Sequence, residues 1–255
     1  MKTPFAILRL AALLMAGTAP VVAESNAPTV PQAKVKIILV GDSTVTDSAG
    51  WGLGFAQLLN DRAECINTAQ GGRSSMSFLK EGRWTNALAL KGNYYLIQFG
   101  HNNEPGKPGR STDMPTYISD LTRYVDEARA AGAKPVLITP LVRRHWDKAN
   151  PGKIKSTLAP YADAVKKLAA AKHVPVVDLH ARSLELCEAL GPEKCLEFSP
   201  VKTVDGKSTV DNTHLNAQGG LLFAALVVAE LRQSVPDLTP CFRAMNESEV
   251  RPIAK

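Results

Sequence analysis

The sequence predicts one α/β domain, with helices on both faces of a central parallel sheet of about five strands. Short apolar or β-branched runs without strict alternation recur along the chain. Such runs are typical of strands that are buried on both faces of a parallel sheet. Segments with helical spacing separate these runs, and this order favours right-handed crossover connections in a three-layer α/β/α fold. The length of 255 residues suits one such domain.

The individual elements follow from these patterns in chain order. Most strand candidates are bounded by Gly, Pro, Asp or Asn, which commonly end strands. They cover residues 35–40, 63–69, 94–99, 135–139 and 174–179. Apolar residues at helical spacing predict helices over 117–128, 158–171 and 221–231. We expect all of these elements to belong to a single domain over 34–255.

The N-terminal segment is predicted to be a signal peptide rather than part of the fold. Lys2 and Arg9 precede an apolar run over 10–17, and small residues follow as far as Ala23. A membrane anchor is the alternative, but the run is shorter than the about 20 residues that span a bilayer. We therefore expect residues 1–23 to be a signal peptide that is cleaved after Ala23, and residues 24–33 to be a flexible leader. The mature protein is then expected to be secreted or periplasmic, without stable membrane insertion.

The charge is mildly positive and not gathered into a long basic run. The whole chain carries a formal charge of +6, and the predicted signal peptide holds two of its basic residues. Without an aromatic and basic patch, nucleic-acid binding is disfavoured. A modest positive balance suits an acidic substrate, but from charge alone an ordinary solvated surface is the preferred explanation.

Four cysteines are present in a chain that we expect to meet an oxidising compartment. They are Cys65, Cys187, Cys195 and Cys241, and their spacing shows no zinc pattern. Cys187 and Cys195 flank a segment with Gly191-Pro192 that resembles a turn, so we predict a disulfide between them. Closing so short a loop contributes about 2–3 kcal/mol in the chain-entropy model. Whether Cys65 pairs with Cys241 stays open.

The candidate nucleophile is Ser43, which follows the first predicted strand in Gly41-Asp42-Ser43-Thr44. A serine hydroxyl needs a base to remove its proton, and Asp211 and His214 lie together near the C-terminal end. Ser43 and Asp211 also have a purely structural interpretation. Ser43 is also suited to cap a helix, and Asp211 to cap the final one.

Gly72 and Asn102 are the candidate oxyanion donors, together with the N–H of Ser43. Glycine lets backbone approach a ligand closely, and an asparagine amide can donate to developing negative charge. Gly71 is the alternative to Gly72 as oxyanion donor. For both glycines, a purely structural role in a turn is the other interpretation. Ser43, Gly72 and Asn102 all follow predicted strands, where parallel sheets bind ligands.

Four short motifs, in this order, resemble those of the SGNH (GDSL-type) hydrolases over about residues 35–231. They are Gly41-Asp42-Ser43, Gly71-Gly72, Gly100-His101-Asn102 and Asp211-Asn212-Thr213-His214. Further stretches are similar to rhamnogalacturonan acetylesterases, including Gly71-Gly72-Arg73-Ser74 and Phe99-Gly100-His101-Asn102. The resemblance implies a flavodoxin-like SGNH hydrolase fold, and it favours Gly72 because the family's glycine directly precedes Arg-Ser.

The resemblance also implies a reaction. It predicts a serine carbohydrate esterase that removes acetyl groups through an acyl-enzyme on Ser43, with no metal or cofactor. Acetylated pectic rhamnogalacturonan is the first substrate, and we expect a monomer that binds this polysaccharide and no nucleic acid. The alternatives are an esterase for xylan or cell-wall sugar, a lipid esterase or thioesterase, and a glycan-binding protein on an inactive hydrolase fold.

Three further expectations concern residues near the site. The related esterases usually carry aspartate where this chain has Asn103. The preceding His101 is expected to be structural. Four arginines are candidates to bind a substrate carboxylate, because a guanidinium matches a carboxylate with two hydrogen bonds. They are Arg73, Arg83, Arg143 and Arg144.

Overall fold

The computed structural model describes residues 33–245. The predicted signal peptide over 1–23 lies outside this range, as does nearly all of the predicted leader. Both stay predictions, as does the extent of the single domain. Within the described range, no helix is both long enough and apolar enough to span a membrane.

Five parallel strands form the central sheet, which confirms the predicted fold class. Their order is β2-β1-β3-β4-β5, the flavodoxin-like arrangement. The strands are β1 (Val35–Gly41), β2 (Ala63–Asn67), β3 (Tyr94–Gln98), β4 (Lys134–Ile138) and β5 (Val176–Val177). β5 is shorter than predicted because Asp178 ends it by capping the next helix, its side chain accepting from the N–H of Ala181.

Within residues 33–245, seven α-helices flank the sheet. They are α1 (Gly52–Gln57), α2 (Ser75–Lys80), α3 (Arg83–Ala89), α4 (Met114–Ala130), α5 (Ala159–Lys172), α6 (Leu179–Cys195) and α7 (Ala217–Ser234). The three predicted helices correspond to α4, α5 and α7. α4 and α7 are longer than their apolar patterns, whereas α5 has the predicted length and is shifted by one residue. The other four helices and a hairpin of β6 (Val201–Val204) and β7 (Lys207–Val210) were not predicted.

Each face of the sheet has its own apolar core. Alternate residues of β1 point to opposite sides, so that Ile37 and Leu39 join one core while Ile38 and Val40 join the other. The first core includes side chains from α1, α6 and α7, and the second includes side chains from α2 to α5. This burial on both faces explains why the strand sequences are apolar without alternation.

The segment between Cys187 and Cys195 is helical rather than the turn we expected. Both cysteines belong to α6, which is kinked at Gly191, where φ is 78°. Glycine tolerates this left-handed φ, and Pro192 can begin the second helical stretch. The kink brings the Cys195 sulfur to 3.6 Å from the carbonyl oxygen of Cys187. Both residues are buried thiols in the structure.

A disulfide between Cys187 and Cys195 therefore stays a prediction. We expect it to form when the protein folds in an oxidising compartment, because the kink holds the two buried cysteines close together. Mass mapping of peptides from the exported, unreduced protein measures this pairing. Recovery of both cysteines as free thiols would contradict it, and cytoplasmic expression provides the reduced control.

Candidate active site

The turn after β1 fixes the position of Ser43. Asp42 is fully buried, and its carboxylate accepts from the N–H and the hydroxyl of Thr44 at 2.9 and 2.7 Å. The hydroxyl of Thr46 donates to the carbonyl of Ser43 at 2.7 Å. These bonds close a tight turn at the carboxyl end of the strand. The Ser43 side chain is left partly exposed at that end.

Asp42 also lies against His101 beneath this turn. Its Oδ2 atom is 3.7 Å from Nδ1 of the buried His101 ring. Burial raises the pKa of Asp42, but interactions with His101 and Thr44 outweigh burial and hold the pKa below its usual value. Burial lowers the pKa of His101. The pair joins the loops that carry Ser43 and Asn102, in keeping with the structural role expected of His101.

Ser43, His214 and Asp211 are joined by hydrogen bonds. His214 Nε2 is 2.8 Å from Ser43 Oγ, and His214 Nδ1 is 2.7 Å from Asp211 Oδ2. Asp211 Oδ1 accepts from the N–H groups of Thr213 and His214 at 2.9 and 3.0 Å. One carboxylate thus orients both the imidazole ring and the loop that carries it.

These same bonds keep Asp211 ionised. Burial alone raises the pKa of Asp211, but the backbone and ring donors of His214 and the N–H of Thr213 reverse that shift. The pKa falls to about 2. Because the folded-state pKa is depressed, this group stabilises the fold above its unfolded pKa, and that contribution is lost as the pH falls towards 2.

The loop over 211–216 is held against the Ser43 turn by backbone contacts. The N–H of Leu215 donates to the carbonyl of Ala49 at 2.9 Å. Just beyond the loop, Gly220 packs so closely that a Cβ there would lie 2.8 Å from the carbonyl oxygen of Gly50. Glycine at this position therefore allows α7 to approach the turn. This close packing explains how residues so distant in sequence meet at one strand end.

Arg144 stabilises the loop over 211–216, which carries His214, through buried hydrogen bonds. Its side chain is 1% exposed. The guanidinium donates to Ser199 Oγ at 3.0 Å, to the carbonyl of Asp211 at 3.1 Å and to the carbonyl of His214. Its backbone N–H donates to the carbonyl of Asn212 at 2.8 Å. Burial lowers the pKa of Arg144. The prediction that Arg144 contacts a substrate carboxylate is wrong, because the side chain is buried.

Asn102 and the glycine pair lie on the other side of Ser43. The Asn102 amide nitrogen donates to the carbonyl of Arg73 at 3.1 Å, which leaves its second N–H available. A Cβ on Gly71 would lie 3.7 Å from that of Ser43, whereas Gly72 has a φ of 76° and adjoins Arg110. Gly71 is therefore in contact distance of the nucleophile, and the preference for Gly72 as donor stays a prediction.

The other three candidate arginines have acidic partners. Arg73 and Arg83 both contact Glu81, at 3.1 and 2.5 Å. Arg143 pairs with Glu104 at 2.6 Å and also donates to the carbonyl of His101. These contacts neutralise much of the positive charge that the sequence suggested for substrate binding. Arg110, which sequence reasoning missed, has no acidic partner among residues 33–245 and touches both Gly72 and Asn102.

Asn103, which replaces the usual aspartate, is fully buried in a polar network. Its amide nitrogen donates to Ser75 Oγ at 2.8 Å and to Thr112 Oγ1 at 2.9 Å. Ser75 Oγ in turn donates to Asp120 at 2.8 Å. The network ties the Asn102 loop to the start of α2, so that an amide is well suited to this position.

Replacing Asn103 with aspartate is expected to lower the free energy of unfolding by about 1–3 kcal/mol. A carboxylate cannot donate to Ser75 and Thr112, so both hydroxyls would have to reorient. Urea denaturation measures the change, with Asn86→Asp on an exposed part of α3 as the matched control. An equally small effect for both variants would show that the network accepts a carboxylate.

No group of three or more His, Cys, Asp or Glu side chains is arranged to hold a metal ion in the part of the chain that the structure describes.

Comparison with known proteins places this site in context. The family model described as GDSL-like Lipase/Acylhydrolase matches residues 39–220. Rhamnogalacturonan acetylesterase RhgT of Bacillus subtilis is 39% identical over 214 residues, which cover 78% of this chain and 90% of that protein.

Solved structures also share the fold. A Bacillus subtilis protein, YXIM, superposes with a TM-score of 0.67 and 26% identity, over 80% of this chain and 58% of that chain. Axe2, an acetylxylan esterase from Geobacillus stearothermophilus, superposes with a TM-score of 0.58 and 19% identity, over 77% of this chain and 93% of that chain. The second likeness shows the fold alone.

Proposed function

The chain belongs to the GDSL-like lipase/acylhydrolase family, and from this premise we propose that it removes O-acetyl groups from pectic rhamnogalacturonan. The observation that carries the proposal is the hydrogen-bonded series Ser43, His214 and Asp211 at the end of β1. The relative that is 39% identical is named a rhamnogalacturonan acetylesterase, which supports this substrate over other acetylated glycans.

The three residues act in sequence. Ser43 Oγ forms a bond to the acetyl carbonyl carbon as its proton passes to His214 Nε2. Ionised Asp211 stabilises the imidazolium that results. The bond to the sugar oxygen then breaks, and this oxygen takes the proton from His214. Water attacks the acetylated serine with His214 again as base, which releases acetate and restores the Ser43 hydroxyl.

Negative charge develops on the acetyl oxygen at both stages. Donors for this charge are the N–H groups of Ser43 and Gly72 and the unused amide N–H of Asn102. Arg110 contacts Asn102 Oδ1 and the carbonyl of Arg73 accepts from the amide nitrogen, so the amide is oriented before substrate arrives. Losing one such donor typically lowers the rate by about 10²–10³-fold.

We further propose that the enzyme acts as a monomer in the periplasm or outside the cell. The predicted signal peptide supports export, because its basic start, apolar run and small residues before the predicted cleavage site match that class of segment. N-terminal sequencing of the protein recovered outside the cytoplasm tests the cleavage after Ala23. An intact Met1 on that protein would contradict it.

Acetate release from a panel of substrates tests the function. The panel contains acetylated pectic rhamnogalacturonan, acetylated xylan, acetylated peptidoglycan and a long-chain acyl ester. We expect the highest kcat/KM on the pectic substrate. Faster turnover of xylan or peptidoglycan would overturn the pectic assignment and keep the esterase, whereas a preference for the long acyl chain would indicate a lipid esterase. Binding without acetate release would indicate an inactive glycan-binding protein.

A further inference from the structure

Arg110 differs from the other arginines around the candidate site. Arg73 and Arg83 share Glu81, Arg143 pairs with Glu104, and Arg144 is buried among carbonyl groups. Within residues 33–245, Arg110 lies within ion-pair distance of no carboxylate. Its contacts are two neutral oxygens, the carbonyl of Gly72 at 3.3 Å and Asn102 Oδ1 at 3.4 Å. Its positive charge is therefore uncompensated at the site.

The Arg110 guanidinium retains capacity for a ligand. Both contacts come from the single nitrogen Nη1, and both are longer than the usual 2.7–3.2 Å for this kind of bond. A guanidinium has five N–H donors in a planar fork. The side chain is half-buried. Nε and Nη2 make no hydrogen bond within residues 33–245, and neither nitrogen is buried. One edge of the fork is therefore open to solvent.

The position of this edge is set by the loop that carries it. The Arg110 N–H donates to the carbonyl of Lys107 at 3.0 Å, and Ser111 Oγ donates to the carbonyl of Glu104 at 2.7 Å. Gly72 leaves room for the guanidinium, since a Cβ there would lie 3.3 Å from Nη1. A fork held in this way lies directly beside the two proposed oxyanion donors.

We propose that Arg110 binds a carboxylate of the substrate, on the sugar ring that carries the acetyl group or on its neighbour. This inference rests on the proposed function, because an acetyl oxygen at Asn102 brings the adjoining ring within reach of the guanidinium. Arginine and carboxylate match as a fork with two parallel hydrogen bonds. The chemical class so recognised is a uronic acid with a free carboxyl group.

Arg110→Ala and Arg110→Lys test the proposal on three substrates. These are acetylated acidic pectin, the same pectin after methyl esterification of its carboxyl groups, and 4-nitrophenyl acetate. We expect Arg110→Ala to lower kcat/KM on the acidic pectin by about 10–100-fold, mainly through KM, since hydrogen bonds to charged groups contribute to binding on this scale. The losses on the methyl ester and on 4-nitrophenyl acetate should be smaller and should fall on kcat, because there only the contact of Arg110 with Asn102 is lost.

A binding readout separates this inference from the proposed function. Oligogalacturonate without acetyl groups should inhibit hydrolysis of 4-nitrophenyl acetate by the parent, and about 10–100-fold more weakly in Arg110→Ala. Arg110→Lys should retain part of the inhibition because it keeps the charge but loses the fork. Arg123→Ala, an exposed arginine on α4 that pairs with Glu127, is the control and should behave as the parent.

The outcomes are distinct. Equal losses of kcat on all three substrates would mean that Arg110 only orients Asn102, and would overturn the carboxylate assignment. Unchanged pectin turnover and unchanged inhibition would overturn it as well. If the parent releases no acetate from pectin but oligogalacturonate inhibition still depends on Arg110, the proposed substrate fails while the carboxylate site stands.

Discussion

Replacing Ser43 with alanine is expected to lower acetate release by about 10⁶-fold, as loss of the nucleophile does in other serine hydrolases. The change removes the oxygen that would bond to the acetyl carbon, and it removes the partner of His214 Nε2 at 2.8 Å. The backbone of the turn is unaffected, because its hydrogen bonds are made by Asp42, Thr44 and Thr46. The fold should therefore survive.

Initial rates of acetate release on acetylated pectin, together with thermal unfolding, measure this result. Ser48→Ala is the matched control, since Ser48 is an exposed serine in the same connection between β1 and α1. The control should retain the activity of the parent, and both variants should unfold within a few degrees of it. Activity of Ser43→Ala within tenfold of the parent would refute its assignment as nucleophile.

The sheet was predictable from sequence because its strands are buried on both faces, which leaves a strong local signal. The short helices α1, α2 and α3 span only six or seven residues and show too few turns for a helical period to stand out. α6 was not predicted at all, and Gly191-Pro192 suggested a turn where the chain continues as helix beyond the kink.

The site was predictable to a similar degree. The positions of Ser43 and Asn102 follow from topology, because parallel strands bring their carboxyl ends to one edge. The structural role of Arg144 did not follow, since its partners lie far away in sequence. Arg144 binds carbonyls 67 and 70 residues further along the chain, and backbone carbonyls carry no sequence signal. The sequence likewise could not show that Arg110 has no acidic partner within residues 33–245, since its contacts are neutral oxygens.

Arg144→Met is expected to give the second largest loss, a decrease in kcat of about 10²-fold with little change in KM. Misplacement of a catalytic group by about 1 Å costs roughly this factor. Arg144 binds the carbonyls of both Asp211 and His214, so its loss lets the histidine loop move relative to Ser43. Methionine has a similar length and is apolar, which suits the buried site.

Stability should fall too, because the substitution leaves two partly buried carbonyls and the buried Ser199 hydroxyl without a donor, at up to about 1–3 kcal/mol for each unpaired group. The kinetic measurement therefore uses a temperature well below the unfolding midpoint of the variant. Arg129→Met is the control, since Arg129 also donates to two backbone carbonyls but lies at the end of α4, away from the site. It should leave kcat unchanged.

Arg144→Lys separates positioning from stability. Lysine keeps the charge but lacks the planar fork that reaches two carbonyls at once, so kcat should remain well below that of the parent even if stability is largely restored. A variant that unfolds more easily yet keeps the kcat of the parent while folded would show that Arg144 only stabilises the protein. A loss of kcat that persists in the fully folded lysine variant would place its role in aligning His214 with Ser43.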